Sequence, residues 1–406
     1  MIKINSLISP LASLLLFSIA IGFMSTFVTF LMNLKGINPI LIGSMSTVNY
    51  IGVMIGAFKS EKFILRIGHI RAFCAFGSVL SIVTLLHGVL DNMYFWFLLR
   101  FITGICLSGL YVVVESWLLS ISLIKNRGTV LALYMITLYG AQALGQLFML
   151  AELSQPTILF LIAGISCIAS IFPLSITRIP SPKIEEAVSM DFKILLQKTR
   201  SSIIGSLSSG LILGSLYGLL PIYLAQINYS QKMIGYMMFA TIFGGMALQY
   251  PIGKLSDTIE RRTVISALFL IASAILGYIL FFSIHPTASM FLFFILGGLT
   301  FTIYPISISH ACDNIDSNSI VSATQGLLLI YSLGAALGPL LAGLISFYAP
   351  DQGLILFLLL ISIPTGLYLL YIRLYSKASH QDEAFMPHPQ TTIVVSEIDP
   401  RIEESS

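Results

Sequence analysis

Long stretches without charged residues recur along this chain and restrict it to a bundle of membrane helices. A helix needs about 20 apolar residues to cross a hydrocarbon core of about 30 Å, and twelve segments meet this requirement. The predicted spans are 8–33, 40–58, 70–90, 95–121, 129–150, 156–177, 203–226, 234–252, 263–283, 288–310, 322–347 and 352–375. Only 10% of the 406 residues are charged, against about 25% in soluble chains. The predicted fold class is therefore an all-α membrane protein with twelve transmembrane helices.

The distribution of positive charge orients the bundle. Of the 21 Lys and Arg residues, all but Lys35, Lys232 and the embedded Arg100 fall in the termini or in the loops on the same side as the termini. Lysine and arginine accumulate in cytoplasmic loops of membrane proteins. Because the number of spans is even, both termini are predicted to be cytoplasmic.

The longest polar connection divides the spans into six and six. We predict an N-terminal half over 1–178, a cytoplasmic central loop over 179–202 and a C-terminal half over 203–375. The remainder, 376–406, is polar, carries three prolines and mixed charge, and is predicted to be a disordered cytoplasmic tail.

The two halves also repeat each other in sequence. A shift of 192 or 193 residues superposes a set of glycines, one isoleucine and one tyrosine, and a fixed period of this kind is an architectural signal. The matched positions are Gly22 with Gly214, Ile42-Gly43 with Ile234-Gly235, Gly104 with Gly297, Tyr111 with Tyr304, and Gly145 with Gly338. Six intervening spans keep the two repeats parallel, which predicts two pseudo-symmetric halves with a substrate site near the midplane between them.

Several loop and helix motifs resemble those of the major facilitator superfamily. "GKLSDTIERR" at 253–262 is similar to its G-x-L-x-D-x-x-G-R-R loop, Arg100 with Gly104 is similar to R-x-x-x-G of its fourth span, and "NRG" at 126–128 is similar to its loop after that span. "VVVES", "LGSLYGLLPIYL" and "QGLLLIYSLGAALGP" resemble the YcaD-type branch, and the resemblance runs from the first span through the twelfth. It implies a transporter of a bacterial inner (plasma) membrane, with a cavity lined by spans one, four, seven and ten. The implied gating-loop residues are Gly253, Asp257, Arg261, Arg262, Arg127 and Gly128.

The chain departs from the superfamily pattern at its gating motifs. In the first-half loop Glu61 occupies the glycine position and Leu65 the aspartate position, so gating there would need another carboxylate. In the second-half loop Glu260 replaces the later glycine. The Gly-Pro pair associated with antiporters is Gly145-Gln146 in span five, which weakens an inference of drug antiport.

Glu115, in "YVVVESWLLS" at 111–120, is the one acid of the fourth span. A rise of 1.5 Å per residue puts it about 9 Å from the centre of that span, on the cytoplasmic side. Acids inside membrane segments usually face a cavity or a partner and mark ion or substrate pathways. Two interpretations are open: Glu115 binds a proton or pairs with substrate, or it is a gate residue. In the second case it would be ion-paired to a basic loop residue such as Lys59, Arg66 or Arg127.

Arg100 is the other charge well inside a span. Fifteen residues of helix separate it from Glu115 by about 22 Å, so the two cannot pair directly. The resemblance implies a role in substrate or proton handling. The alternative is that the side chain extends to the outer interface near Asp91.

Polar-tipped side chains within the spans are candidates for lining the substrate cavity. Tyr304 repeats Tyr111 and precedes Pro305, which removes a helix hydrogen bond and permits a bend. The main candidates are Tyr111, Gln142, Tyr217, Tyr304 and Gln325, with Gln146, Tyr223 and Tyr331 as further ones. Each of them could instead be a helix-contact or interface residue.

A secondary transporter that works by alternating access fits these features best. No Walker loop is present, so an ion gradient or the gradient of the solute would drive it; we expect proton coupling. A facilitated exchanger without proton coupling and a transporter-like nutrient sensor remain alternatives. We expect no enzyme, since neither HExxH nor GxSxG occurs.

The expected partners are a small-molecule substrate, the lipid bilayer and protons. A lone Arg100 and a lone Glu115 suit a zwitterion or a small organic anion. No basic stripe with interleaved aromatics indicates nucleic acid. The four cysteines are dispersed, which indicates neither a metal site nor a cofactor, and we expect a monomer.

Overall fold

Twelve long helices make up most of the part of the chain that the structure describes. The computed structural model describes residues 4–122, 126–151, 155–176, 199–282, 285–315, 320–375, 385–392 and 394, and within them it contains helices and no strand. All twelve helices are long and apolar enough to cross a membrane, which confirms the predicted count and fold class. They are α1 Ile4–Leu34, α2 Pro39–Ile67, α3 His69–Val89, α4 Met93–Ile121, α5 Arg127–Gln146, α6 Pro156–Ala169, α7 Arg200–Gln226, α8 Gln231–Leu255, α9 Arg261–Phe281, α10 Pro286–Cys312, α11 Ile320–Tyr348 and α12 Gly353–Tyr375. Leu147–Leu150 continues α5 as a 3₁₀ turn, and Ile171–Ser175 prolongs α6. Most of the predicted central loop lies outside the described residues.

Local sequence explains where several helices begin and end. Asn38 precedes α2, and its side chain accepts a hydrogen bond from the backbone N–H of Leu41 at 2.9 Å. Such N-caps satisfy donors that the first helical turn leaves unpaired. The helix α2 continues to Ile67, beyond the predicted end at residue 58, because its last two turns carry charged side chains that suit a solvated face. Gly68 then turns the chain with φ +87°, a conformation that favours glycine.

The packing of the helices repeats between the two halves. In the first half α1 packs on α5, α2 on α4, and α3 on α6. In the second half the equivalent pairs are α7 with α11, α8 with α10, and α9 with α12. The two halves meet through α2 against α11 and α5 against α8, which are again equivalent. The helices α1, α4, α7 and α10 are the most buried of the twelve.

The glycines matched by the sequence repeat make matched contacts. Gly104 of α4 lies against the backbone of Asn49 in α2, and Gly297 of α10 lies against the backbone of Thr241 in α8. A Cβ at either glycine would overlap the carbonyl oxygen of the neighbouring helix. The other equivalent contacts are Gly22 on Gln142 with Gly214 on Ala335, and Gly145 on Ile19 with Gly338 on Leu211. The period in the sequence therefore records close helix packing, for which small residues are selected in membranes.

A Gly104→Ala substitution should destabilise the protein. The added methyl group would overlap the backbone of Asn49, and relief of such overpacking costs about 1 to 3 kcal/mol. Gly277→Ala in α9 is the matched control, because a Cβ there meets nothing within 4 Å. Thermal unfolding of the detergent-purified proteins should show a lower Tm for Gly104→Ala and no loss for Gly277→Ala. Equal Tm values for the two variants would contradict the predicted close contact.

Contacts between the halves cluster toward one end of the bundle. We call the end that holds the start of α1 and the end of α12 the terminal face, and the other end the opposite face. Near the opposite face Thr47 donates to the carbonyl of Ala336 at 2.6 Å, and Gln231 donates to the carbonyl of Met149 at 3.0 Å. Gly43 in the first turns of α2 also lies against the backbone of α11. The halves are thus closed together near the opposite face.

Candidate functional site

A cavity of about 140 Å³ lies between the two halves. Its walls come from the middle of α1, α2, α4, α5, α7 and α11. The implied lining by α10 is wrong, because none of the described lining residues belongs to that helix. The polar lining residues of these helices are Ser25, Asn49, Tyr50, Tyr111, Tyr139, Gln142, Tyr217 and Tyr331. Among the described residues that line this cavity, none is charged. Hydroxyl and amide groups therefore dominate its polar surface, and tyrosine rings supply flat apolar faces.

One hydrogen bond crosses the cavity between the halves. The hydroxyl of Tyr217 in α7 donates to Oε1 of Gln142 in α5 at 3.0 Å. Next to it, the side-chain oxygen of Asn49 is buried and has no hydrogen-bond partner within the part of the chain that the structure describes. A buried acceptor without a partner carries a free-energy cost that a ligand donor would relieve.

Arg100 borders a smaller cavity of about 30 Å³ that adjoins the central one. Ser25, Asn49, Tyr50 and Tyr217 line both cavities. The side chain of Arg100 is 6% exposed, and its Nη2 donates to the carbonyl of Met24 in α1 at 2.6 Å. The guanidinium is therefore held inside the bundle, beside the cavities.

The interpretation that Arg100 extends to the outer interface near Asp91 is wrong. The carboxylate of Asp91 pairs instead with Lys35, whose ammonium lies 4.9 Å from the ring centroid of Trp96. Partial burial lowers the pKa of Lys35 below its ordinary value.

Glu115 is fully buried between α4, α5 and the C-terminal tail. The hydroxyl of Tyr134 donates to its Oε1 at 2.6 Å. The hydroxyls of Thr391 and Thr392 donate to Oε1 and Oε2 respectively. Lys59 and Arg66, two of the basic partners considered for this acid, have exposed side chains. The described partners of Glu115 therefore include hydroxyl groups from α5 and from the tail.

The partner threonines belong to a stretch of the tail, residues 385–392, which we call the tail segment. The sequence predicted disorder throughout 376–406, but this segment enters the cleft between the halves from the terminal face. Phe385, His388 and Thr392 are buried, and Gln390 accepts a hydrogen bond from the hydroxyl of Tyr139 at 2.7 Å. Gln390 and Thr391 form part of the wall of the central cavity. The other tail residues, apart from Val394, lie outside the described residues.

The residues of the second-half loop motif form an ionic cluster at the terminal face. Arg261 is 1% exposed, and its Nε donates to Oδ2 of Asp313 at 2.7 Å. Its Nη2 lies 3.3 Å from Oδ1 of Asp257. Glu260, which replaces the motif glycine, pairs with Arg262 at 2.6 Å and with Arg373 of α12 at 3.3 Å. Among the described residues, no three His, Cys, Asp or Glu side chains are grouped as a metal site would need.

The glycines of both gating loops contact the tail segment. A Cβ at Gly253 would fall within the ring of Phe385, and one at Gly128 would lie 3.5 Å from Met386. The Nε of Arg127 is buried and has no hydrogen-bond partner among the described residues. The predicted gating glycines of the two halves therefore contact the tail segment, which lies between them.

The cavity contains three of the five main candidates for its lining: Tyr111, Gln142 and Tyr217. Tyr304 lies behind it, with its ring 4.8 Å from that of Tyr331, and Gln325 is buried outside the described lining. Among the polar lining residues, sequence reasoning missed Ser25, Asn49, Tyr50 and Tyr139. A polar Asn-Tyr pair in the middle of an otherwise apolar second span was the signal for Asn49 and Tyr50.

Sequence comparison identifies the family. A sequence model of the Major Facilitator Superfamily matches residues 11–328 and 203–397. The chain is 31% identical over 366 residues to "Uncharacterized MFS-type transporter YcaD" of Escherichia coli O7:K1, covering 89% of this chain and 94% of that protein. The protein of the same name from Shigella flexneri serotype 5b is equally similar, at 31% identity over 366 residues with the same coverage.

Solved structures share the fold at low sequence identity. The nucleoside transporter NupG superposes with a TM-score of 0.73 at 15% identity, covering 92% of this chain and all of that one. A bacterial homologue of the human lysosomal transporter Spinster gives 0.73 at 13% identity, covering 95% of this chain and 99% of that one. With the twelve helices, the paired halves and the central cavity, these matches establish that the chain is a multi-pass membrane protein that belongs to the Major Facilitator Superfamily of transporters, in its YcaD branch.

Proposed function

We propose that this chain carries a small organic anion across the membrane by alternating access, with Arg100 as the counter-charge of the anion. The observation that supports this proposal is the placement of Arg100. Its guanidinium is buried beside the cavities and, among the described residues, makes one hydrogen bond, to a backbone carbonyl. A guanidinium has five N–H donors, and it is the side chain best suited to binding a carboxylate with two of them.

The distance between the two embedded charges favours an anion over a zwitterion. Glu115 lies fifteen helical residues from Arg100, which is about 22 Å along α4. A small zwitterion cannot contact both side chains. The groups within reach of Arg100 are uncharged hydroxyls and amides, among them the unpartnered oxygen of Asn49. The substrate therefore needs one acidic group and hydrogen-bonding groups around it.

Glu115 is the proposed proton-binding residue. It is the fully buried carboxylate of α4 and faces the cleft through which a solute would leave at the terminal face. The hydroxyl of Tyr134 donates a hydrogen bond to this carboxyl group, so binding of a proton there would require the hydrogen bonds around Glu115 to rearrange. Uptake of one proton with one anion moves no net charge. This makes symport the form of coupling that fits a substrate with a single negative charge.

The terminal face is the proposed cytoplasmic face of a bacterial inner membrane. The clustering of lysine and arginine at that face supports this orientation, and the relatives reported above are bacterial. The halves are closed together at the opposite face, so the cavity would open toward the cytoplasm. The proposed transporting unit is the monomer, since each chain contains both halves and the cavity between them.

A panel of small carboxylates in proteoliposomes tests the function. Purified protein is reconstituted, a gradient of one pH unit is imposed, and uptake of labelled carboxylates is compared with uptake of uncharged and zwitterionic analogues of similar size. We expect gradient-driven accumulation of at least one carboxylate. Transport confined to uncharged or zwitterionic solutes would contradict the proposed substrate class. Binding of a carboxylate without exchange across the membrane would favour the nutrient sensor, and exchange that ignores the pH gradient would favour a facilitated exchanger.

A further inference from the structure

The tail segment makes contact with both halves at once. On the side of the C-terminal half, the backbone N–H of Phe385 donates to Oδ1 of Asp257 at 2.7 Å, and its ring covers Gly253. On the side of the N-terminal half, Gln390 accepts from Tyr139. The segment thus lies between the two gating loops, where the halves would otherwise face each other.

The end of the segment reaches the residue proposed to bind the proton. Thr391 and Thr392 each donate a hydroxyl hydrogen bond to Glu115, one to each carboxylate oxygen. Both oxygens of this carboxylate are therefore engaged by the tail. Two side-chain hydrogen bonds to one buried carboxyl group anchor the segment in the cleft.

The composition of the segment suits a buried ligand. Its sequence FMPHPQTT has two prolines and no Lys, Arg, Asp or Glu. Entry of the segment into the cleft therefore removes no lysine, arginine, aspartate or glutamate side chain of its own from water. Proline lowers the conformational freedom that docking would otherwise remove. Nine positions separate Tyr375, at the end of α12, from Phe385. A tether of that length keeps the segment at an effective concentration in the millimolar range, so weak contacts suffice to hold it.

Docking of the segment conflicts with alternating access. The two halves of the protein already meet near the opposite face. Alternating access requires a second state, in which they separate there and close together at the terminal face. The ring of Phe385 fills the space against Gly253, and Met386 lies against Gly128. These side chains keep the two gating loops apart. Gln390 and Thr391 also occupy the wall of the cavity at its exit.

We propose that the mouth of the cleft at the terminal face is a binding site for the chain's own tail segment, which acts as a tethered plug and must leave before transport begins. The plug blocks both the exit of solute from the cavity and the closing of the gating loops. It also caps Glu115 while it is bound. The full-length protein is then autoinhibited, and whatever releases the segment activates it.

A labelling experiment tests the binding of the plug without any substrate. Gly128→Cys, in a Cys74→Ser background, places a thiol beneath Met386 for alkylation by a maleimide in detergent. The full-length chain, a chain ending at residue 384, and a full-length chain with Phe385→Ala, Thr391→Val and Thr392→Val are compared. We expect labelling about tenfold slower in the unaltered full-length chain, which corresponds to a docked state favoured by about ten to one. Lys59→Cys, exposed on the same face, is the control and should react equally in all three.

Transport measurements test the blocking role. In proteoliposomes the truncated chain and the triple variant should take up substrate severalfold faster than the full-length chain. A synthetic peptide FMPHPQTTIV should slow the truncated chain, and a scrambled peptide should not. Equal labelling of Gly128→Cys in all three chains would overturn the docked plug, whatever the transport activity. Protection from labelling combined with equal uptake rates would overturn its role as a block.

Discussion

Glu115→Gln should abolish proton-driven accumulation of solute while leaving exchange intact. The substitution keeps the size of the side chain and an oxygen that accepts from Tyr134, but the amide cannot carry a proton across the membrane. A gradient of one pH unit stores about 1.4 kcal/mol per proton, which sustains about a tenfold solute ratio. We expect the wild-type protein to approach this ratio and the variant to stop near equal concentrations. Counterflow of labelled against unlabelled solute should persist in the variant.

Two controls make this result specific. Asp351→Asn removes an exposed carboxylate from the loop after α11, outside the lining of the central cavity, and should accumulate solute like the wild type. The same assay on chains ending at residue 384 separates the coupling role of Glu115 from its role as an anchor for the tail segment. Full accumulation by Glu115→Gln would show that the proton binds elsewhere. Loss of both accumulation and counterflow would favour the interpretation of Glu115 as a gate residue.

The architecture of the protein was predictable from the sequence because it is set by local and periodic features. Apolar segment length fixes the number of spans, and the matched glycines mark the helix contacts that the two halves repeat. Gly104 and Gly297 are an example, since each meets the equivalent neighbouring helix. The ends of the helices were less predictable, because α2 continues past its apolar part into a charged stretch that still forms backbone hydrogen bonds.

The site was predictable only in part, because a cavity depends on which helix faces meet. Tyr111 and Tyr217 were found through their spans, whereas Tyr304 shares their pattern but lies behind Tyr331 and is not part of the described cavity lining. The partners of Glu115 could not be predicted. Two of them come from a polar tail more than 270 positions away, at Thr391 and Thr392, and no periodicity within the spans indicates such a contact.

Arg100→Gln should weaken substrate binding more than any other substitution in the cavity. Removing one partner of a buried, hydrogen-bonded charge pair costs about 2 to 5 kcal/mol, and 1.4 kcal/mol corresponds to a factor of ten. We therefore expect the affinity for the transported anion to fall by about 30-fold or more, measured as competition in counterflow. Arg100→Lys keeps the positive charge but presents a single ammonium in place of the planar fork, so its affinity should lie between those of the wild type and Arg100→Gln.

Lys35→Gln is the matched control for the loss of positive charge. Lys35 carries the same charge near the opposite face, but it pairs with Asp91 and lies outside both cavities. Its removal should leave the affinity for the anion unchanged. The size-matched uncharged analogue of the substrate supplies the second comparison, because it lacks the group that Arg100 contacts and should bind wild type and Arg100→Gln about equally. Equal affinity of the wild type and Arg100→Gln for the anion would show that the buried guanidinium serves the packing of α1 on α4, through Met24, and not the recognition of charge.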